Sequence, residues 1–384
     1  MSGPIRLGVV AGEESGDLLA ADLVDALRRL TGRDVELTGV GGEHLAARGL
    51  KSLFDPGEIA LMGFTAVITR LPGLIRRIRQ TTDHLVAAKP DLLLIVDSPD
   101  FTHRVASKVR AACPDVPVVD YVCPSVWAWR PGRAPAMTAY VDHVLCLLPF
   151  EPETLERLGG PAATYVGHKL VRDEGLEQAW QARLERPFDP RSPVLCLLPG
   201  SRRSEVKSLL PFFGETVDEL AKLGPAPDLL LPTVPHVEAM VRDMTRDWDI
   251  RPEIATGEQA RRAMFARADA ALAASGTVTL ELALAGIPLV SCYQTDMIAR
   301  LLRRLITAWS ASLPNLIAGY PVVPELYEFM LRPNYTARHL SALLSETPSR
   351  SAQVAGFEAI RDLMATERPS GEIAAGVVVS LLDR

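Results

Sequence analysis

Apolar residues fall in short runs along this 384-residue chain, and between the runs they recur at helical spacing. The first run, Ile5–Ala11, breaks at Gly12 and leads into a segment whose Leu19, Leu23, Leu27 and Leu30 share one helical face. A strand, a glycine turn and an amphipathic helix predict the opening βα unit of a doubly wound sheet. Strand-like runs follow at Val35–Val40, Leu92–Val96, 116–122 and 144–148, with helical patterns such as 81–88 and 102–112 between them. Uniformly apolar strands alternating with helices predict an α/β fold whose parallel sheet is covered on both faces.

After Val166-Gly-His168 the strand pattern stops, and 169–193 is polar, charged and proline-bearing. A domain boundary is expected there. A second βα array starts at Val194–Leu198, continues through 228–232 and reaches 268–277. The chain thus reads as two Rossmann-like domains, 1–168 and 169–352, with the helical tail 353–384 expected to pack back on the first. In such sheets ligands bind beyond the carboxyl ends of the strands, so the loops there are where chemistry is sought.

Apolar residues make up 48% of the chain and charged residues 23%, ordinary for a soluble enzyme, and the net charge of −6 argues against a general nucleic-acid binder. The five cysteines are scattered and never form a C-x-x-C pair, so they read as small core residues in a reducing cytosol, with no zinc site or disulfide. No signal peptide is read before the first strand. The long uncharged stretch 305–324 carries Ser310, Ser312, Pro314, Asn315, Gly319 and Pro321, which is not how a spanning helix is written. Membrane contact, if the protein makes any, is expected to be peripheral.

Two turns in the second half suit an anion. The strand Val194–Leu198 ends at Pro199-Gly200, and Ser201 is placed to cap a helix whose free amides and dipole attract phosphate, with Arg202, Arg203 and Lys207 close by. The alternative is an ordinary βα turn with solvated arginines. A small-residue strand likewise breaks at Ser275-Gly276 before a helix carrying Thr277 and Glu281. Six residues separate 275 from 281, so amides at the helix start could hold phosphate while the carboxylate takes a ribose diol.

The loops of the first half are acidic instead. Glu13, Glu14 and Asp17 surround Ser15 in a glycine-rich turn, where their charge would repel a pyrophosphate but suits sugar hydroxyls; the alternative is a helix cap with solvated glutamates. Asp97 and Asp100, in the loop DSPDF, admit three readings: metal ligands, turn and cap residues, or a general base for an attacking hydroxyl. Trp127 and Trp129 suit stacking on a sugar or packing at the domain edge. His168 stands at the hinge, as ligand contact or structural residue.

Between 59 and 82 there are four arginines and no acid, interleaved with Met62, Val67, Ile68, Leu71, Leu74 and Ile75; Arg76 and Arg77 are among the four. A second such stretch, 297–324, carries Arg300, Arg303 and Arg304 among apolar residues. Both fit a face resting on an anionic bilayer or receiving acyl chains. The alternatives are a buried helix with a solvated arginine face, or an interface helix between domains or between copies in a homodimer.

The words AGEESGD (11–17), DSPDF (97–101), PSVWAWR (124–130), LLPFE (147–151), VGH (166–168), LPGSR (198–202), ASGT (274–277) with Glu281, and SLPNL (312–316) occur in one order along the chain. In that order they resemble the lipid-A-disaccharide synthases, bacterial glycosyltransferases, and the resemblance runs nearly end to end. It implies two facing Rossmann-like domains with a cleft between them, the GT-B architecture. It also implies transfer of 2,3-diacylglucosamine from UDP to the 6-hydroxyl of 2,3-diacylglucosamine 1-phosphate, giving a β-1,6 disaccharide and UDP.

Carried onto matching positions, Glu13 and Asp100 serve the sugar and acceptor side, with Asp100 the expected base and Glu13 positioning the acceptor or acting in its place; Arg202, Glu281 and Asn315 serve the UDP side or complete the cleft. No cofactor or divalent ion is expected, because Arg202 and the two helix starts would stabilise the leaving diphosphate. The implied location is the cytoplasmic face of a Gram-negative inner membrane. Glu14 departs from the small or hydroxyl residue usual in the family, and 297–309 is less aromatic than its counterpart. Rival readings are another UDP-sugar enzyme of this architecture, such as an N-acetylglucosaminyltransferase or a UDP-N-acetylglucosamine 2-epimerase, and a catalytically silent nucleotide-binding adaptor.

Overall fold

A computed structural model describes residues 3–60, 67–294 and 306–383. The chain divides into two units, residues 1–168 with 366–384, and residues 169–365. The strands of the first unit are β1 (Ile5–Ala11), β2 (Val35–Val40), β3 (Leu92–Val96), β4 (Val118–Tyr121), β5 (His143–Cys146) and β6 (Ala162–Tyr165), all parallel in the order β2-β1-β3-β4-β5-β6. Its helices are α1 (Glu14–Thr31), α2 (Glu43–Ala46), α3 (Gly57–Ala60), α4 (Val67–Ala88), α5 (Pro99–Ala112), α6 (Arg133–Met137) and α7 (Glu151–Arg157).

Every side chain of β3 is buried because helices cover both faces of the sheet. Val9, Leu94, Val96 and Tyr121 pack on one side with residues of α1 and of the last helix, Ser370–Leu382. Val10, Ile95, Val118 and Val144 pack on the other side with α4 and α5. Truncating one such leucine, for example Leu94→Ala, costs about 2–5 kcal/mol.

The second unit repeats the plan with β7 (Val194–Leu198), β8 (Asp228–Thr233), β9 (Glu253–Thr256), β10 (Ala270–Ala274), β11 (Leu289–Tyr293) and β12 (Glu325–Tyr327), parallel in the order β12-β11-β10-β7-β8-β9. Around them lie α8 (Glu174–Glu185), α9 (Arg203–Ala221), α10 (Pro235–Met244), α11 (Glu258–Arg267) and α12 (Thr277–Leu284). In both sheets the first strand of the array is an interior strand, β1 between β2 and β3 and β7 between β10 and β8. Its carboxyl end therefore faces a turn with neighbours on either side, which concentrates loops at one edge.

The tail differs from expectation. The helix Pro348–Met364 stays with the second unit, and the chain returns to the first only from 366. Its buried Gln353 accepts from the Leu289 amide at 2.5 Å and donates to the Leu289 carbonyl at 3.2 Å, while Arg361 reaches the Leu284 carbonyl at 2.6 Å. The second tail helix instead sets Ala374, Ala375 and Val378 into the core beside α1. The first tail helix is amphipathic and the last is apolar nearly all round, and neither pattern alone says which unit it covers; the polar partners of Gln353 and Arg361 settle the first.

Among the described residues no helix is long and apolar enough to cross a membrane.

Candidate active site

At the carboxyl edge of the first sheet the backbone is strained. Among the described residues five non-glycines have positive φ, and four of them lie in the loops after β3 and β4: Asp97 at 51°, Ser98 at 46°, Val122 at 86° and Arg130 at 51°. Each such residue costs on the order of 1–3 kcal/mol and persists only where its surroundings enforce it, commonly at functional sites. The enforcing contacts are on hand. The Asp97 amide donates to the Tyr121 carbonyl at 3.1 Å, its carboxylate accepts from the Ser98 amide at 2.7 Å, and the Thr102 hydroxyl donates to the Asp97 carbonyl at 2.7 Å.

This turn brings Asp97 beside Glu13, which starts α1 with an extended backbone. The Ser98 hydroxyl lies near the Glu13 carboxylate and favours its charged form. The two loops are so close that a Cβ at Gly12 would lie 2.9 Å from Ser98 Oγ. Burial raises the pKa of Glu13, the Asp97 charge adds to it, and the Ser98 hydrogen bond opposes both. Burial likewise raises Asp97, with Asp120 adding and the Ser98 amide opposing. A carboxylate partly buried beside a second one holds its proton more tightly than a free one, the direction a general base needs.

Asp100 stands differently. Its side chain is 74% exposed and is paired at 3.1 Å with Arg133 of α6. The pattern D-x-x-D could not show which carboxylate is shielded; the left-handed turn at 97–98 decides it in favour of Asp97. Asp17, the last acid of the first loop, is buried and accepts from the amides of Gly42 at 2.7 Å and His44 at 2.8 Å, so it caps α2. Ser15 is exposed on the first turn of α1.

The tryptophan loop is tied down from below. Trp127 Nε1 donates to Glu151 at 3.1 Å, and its ring meets Phe150 edge-on at 5.4 Å; Arg130 stacks on Trp129 with its guanidinium 4.0 Å from the ring centre. Glu151 is buried at the start of α7, also accepts from the amides of Leu147 and Leu148, and is pushed up to about 7 by burial. Cys123 and Cys146 lie against it, with ligand atoms of all three within 4.8 Å of one another. The Cys146 contact and burial raise the Cys123 thiol far above its usual range. His168 is half-buried at the end of the first unit.

In the second unit the two turns are not equivalent. Gly200 has φ 109°, a conformation costly for other residues, and a Cβ there would meet Glu205 Oε2 at 2.4 Å. The helix starts one residue later than Ser201 would cap it, with Arg202 at the N-cap. Glu205 reaches back to accept from the amides of Ser201 and Arg202, each at 3.1 Å, and pairs with the Arg202 guanidinium at 2.9 Å. These two amides are therefore taken by a side chain of the chain itself. The start of α12 is more open: Gly276 and Thr277 are exposed, and no side chain caps the helix. Ser275 holds the turn through its hydroxyl, which donates to the Ala311 carbonyl at 3.2 Å.

Glu281 is buried on α12 and paired at 3.1 Å with both Arg261 and Arg262; Arg262 also binds Asp173 at 2.5 Å. A carboxylate has about four lone-pair sites, so these pairs orient Glu281 without exhausting it. Asn315 is different. It is buried, donates to Val323 and Glu325 at 3.0 Å each, and accepts from the amides of Val322 at 2.8 Å and Val323 at 2.7 Å. Its hydrogen-bonding capacity is used in holding β12, which makes it structural where a ligand contact was expected.

The basic stretches are only partly described. Met62, Arg300, Arg303 and Arg304 lie outside the described residues, and of Val67, Ile68 and Leu71 only the backbone is described. Leu74 is a core residue at 8% exposure, and Arg77 is bound to Glu58 at 2.7 and 2.9 Å and stacked over Phe54. Neither offers itself to a lipid. Ile75 and Arg76 are exposed, as are Ile306 and Trp309 beside the second stretch.

Residues 7–375 match the family model described as lipid-A-disaccharide synthetase. Over 380 residues the chain is 48% identical to the lipid-A-disaccharide synthase of Nitrobacter winogradskyi, covering 98% of this chain and 96% of that one. The chain belongs to the lipid-A-disaccharide synthase family. A synthase from Bradyrhizobium diazoefficiens is 46% identical over 375 residues, covering 97% and 95%. Membership makes the chain a glycosyltransferase with a UDP-sugar donor and an acceptor.

Solved structures agree on the GT-B fold. Acinetobacter baumannii MurG matches with a TM-score of 0.56 at 13% identity over 99% of both chains. A Staphylococcus aureus MnaA–UDP co-structure matches with 0.57 at 12% identity, over 98% of this chain and 95% of that one. At such identities the likeness carries the fold alone, so the synthase assignment rests on the family. Ser98, Asp120, Arg133 and Glu205 were missed by sequence reading; only Glu205, three residues after Arg202, carried a signal, as the acid of a capping box.

Proposed function

We propose that this synthase moves 2,3-diacylglucosamine from UDP to the 6-hydroxyl of 2,3-diacylglucosamine 1-phosphate, with Asp97 as the base and Glu13 orienting the acceptor. The acceptor oxygen attacks the anomeric carbon as the bond to UDP breaks, and the hydroxyl proton passes to Asp97. An α-linked donor giving a β product requires one inverting displacement, so one base and one stabilised leaving group suffice. The single observation that carries the base assignment is the strained turn that sets a half-buried Asp97 beside Glu13, while Asp100 stays exposed and paired with Arg133.

On the leaving-group side, the open start of α12 and the Arg202 guanidinium take the diphosphate, and Glu281 takes the ribose. These donors act in place of a metal ion, so a chelator leaves the rate unchanged. Acyl chains keep both substrates in the bilayer, and the enzyme works on its cytoplasmic face, touching anionic lipid through the exposed Ile75 and Arg76 and the apolar Ile306 and Trp309. Incubation with the diacylated UDP-sugar and the monosaccharide 1-phosphate, followed by mass analysis, is expected to show the disaccharide 1-phosphate and UDP. Turnover of UDP-N-acetylglucosamine at an equal rate would overturn the substrate assignment.

A further inference from the structure

Beneath the Asp97 turn lies a polar group that the mechanism above does not use. Asp120 on β4 is 1% exposed and His103 on α5 is 6% exposed. The Asp120 carboxylate lies 3.2 Å from His103 Nε2, and the other ring nitrogen lies 3.2 Å from the Tyr140 hydroxyl, whose ring meets the imidazole edge-on. Neither oxygen of Asp120 has a hydrogen-bond partner among the described residues. A buried carboxylate left so bare is costly unless a cation stands by it, and the imidazole is the group in contact.

The two side chains also bridge the elements that shape the Asp97 turn. Asp120 sits opposite Ile95 in the sheet and directly precedes Tyr121, whose carbonyl receives the Asp97 amide. His103 follows Thr102, whose hydroxyl closes the turn on the Asp97 carbonyl.

We propose that His103 and Asp120 are positioning residues for Asp97: their contact holds the start of α5 against β4 and fixes the charge that the base faces. The inference rests on Asp97 being the base. With the pair intact, the His103 ring covers the Asp120 carboxylate at 3.2 Å. Without His103 the anion is bare toward Asp97, and without Asp120 the anion is gone. Asp97 is faced by Glu13 from the β1 turn and Asp120 from β4. The pair is faced by Tyr140, and Asp120 also acts on Cys123, Cys146 and Glu151; Arg133 acts on Tyr140 from α6.

The test is the acid limb of kcat against pH, measured on the full chain with both diacylated substrates. Asp120→Asn is expected to move the limb down by about half to one pH unit and His103→Gln to move it up by about as much, donor KM staying within about twofold. A purely structural role would lower the melting temperature and leave the limb in place. Tyr140→Phe, which removes one oxygen, is expected to move the limb up by less and decides the matter if the other two variants do not fold. Limbs that stay put, or that shift in one direction for both Asp120→Asn and His103→Gln, overturn the inference. Asp97→Asn separates the two levels: full kcat in that variant sinks the base assignment itself, whereas a dead Asp97→Asn with immobile limbs sinks only the positioning role.

Discussion

The carboxyl edges of the two sheets solve opposite electrostatic problems with opposite backbone devices. The first unit brings carboxylates together, with Asp97 half-buried, and it does so with non-glycine residues forced into positive φ, Asp97, Ser98 and Val122 among them. The second, on the proposed reading, presents donors to an anion, and it uses glycines, Gly200 and Gly276, to turn strands into helix starts. Glycine visits those angles cheaply, whereas strain at an aspartate has to be held by the fold. The second edge thus turns on glycine backbone, with Glu205 and Arg202 packed around one turn and Glu281 behind the other; the first depends on side chains held in strained backbone.

That contrast can be broken by substitution. Asp97→Asn removes the base while keeping the turn's hydrogen bonds, and kcat is expected to fall by about 10²–10⁴ with donor KM little changed, in a steady-state assay. Glu151→Gln comes next and reads stability. The folded carboxyl is raised from 4.5 to about 7, so between these values the native state binds more protons than the unfolded one. Stability contributed by this group is present below about 4.5 and lost as pH rises through about 7, on the order of 3 kcal/mol in all. Melting curves at pH 5 and pH 8 are expected to show that slope in the wild type and its loss in the variant.

Smaller effects sharpen the second edge. Thr277→Pro deletes one amide at the first helical position, where proline is tolerated, and is expected to weaken UDP binding about tenfold without changing the melting temperature. Smallest is Arg76→Glu, expected to cost about 1–2 kcal/mol of binding to anionic vesicles by co-sedimentation, since a single cation near a charged surface is worth about 1 kcal/mol and its reversal somewhat more.

Much of this was legible in the chain. Runs such as Leu92–Val96 announced buried parallel strands, and Pro199-Gly200 and Ser275-Gly276 announced helix starts, because strand periodicity and glycine turns are local properties. What escaped depended on contacts distant in sequence. Glu205 taking the amides beside Gly200, Asn315 spent on β12, and Asp97 rather than Asp100 turned inward are all settled by neighbours that spacing cannot supply. Arg77 looked lipid-facing only until Glu58 was placed against it.

The division of labour between the two edges is tested most directly by calorimetric titration of UDP into the Asp97→Asn protein. Affinity equal to that of the wild type is the expected result, since the proposed donors to the nucleotide all lie in the second unit. A tenfold weaker affinity would place the nucleotide against the acidic edge and contradict the account.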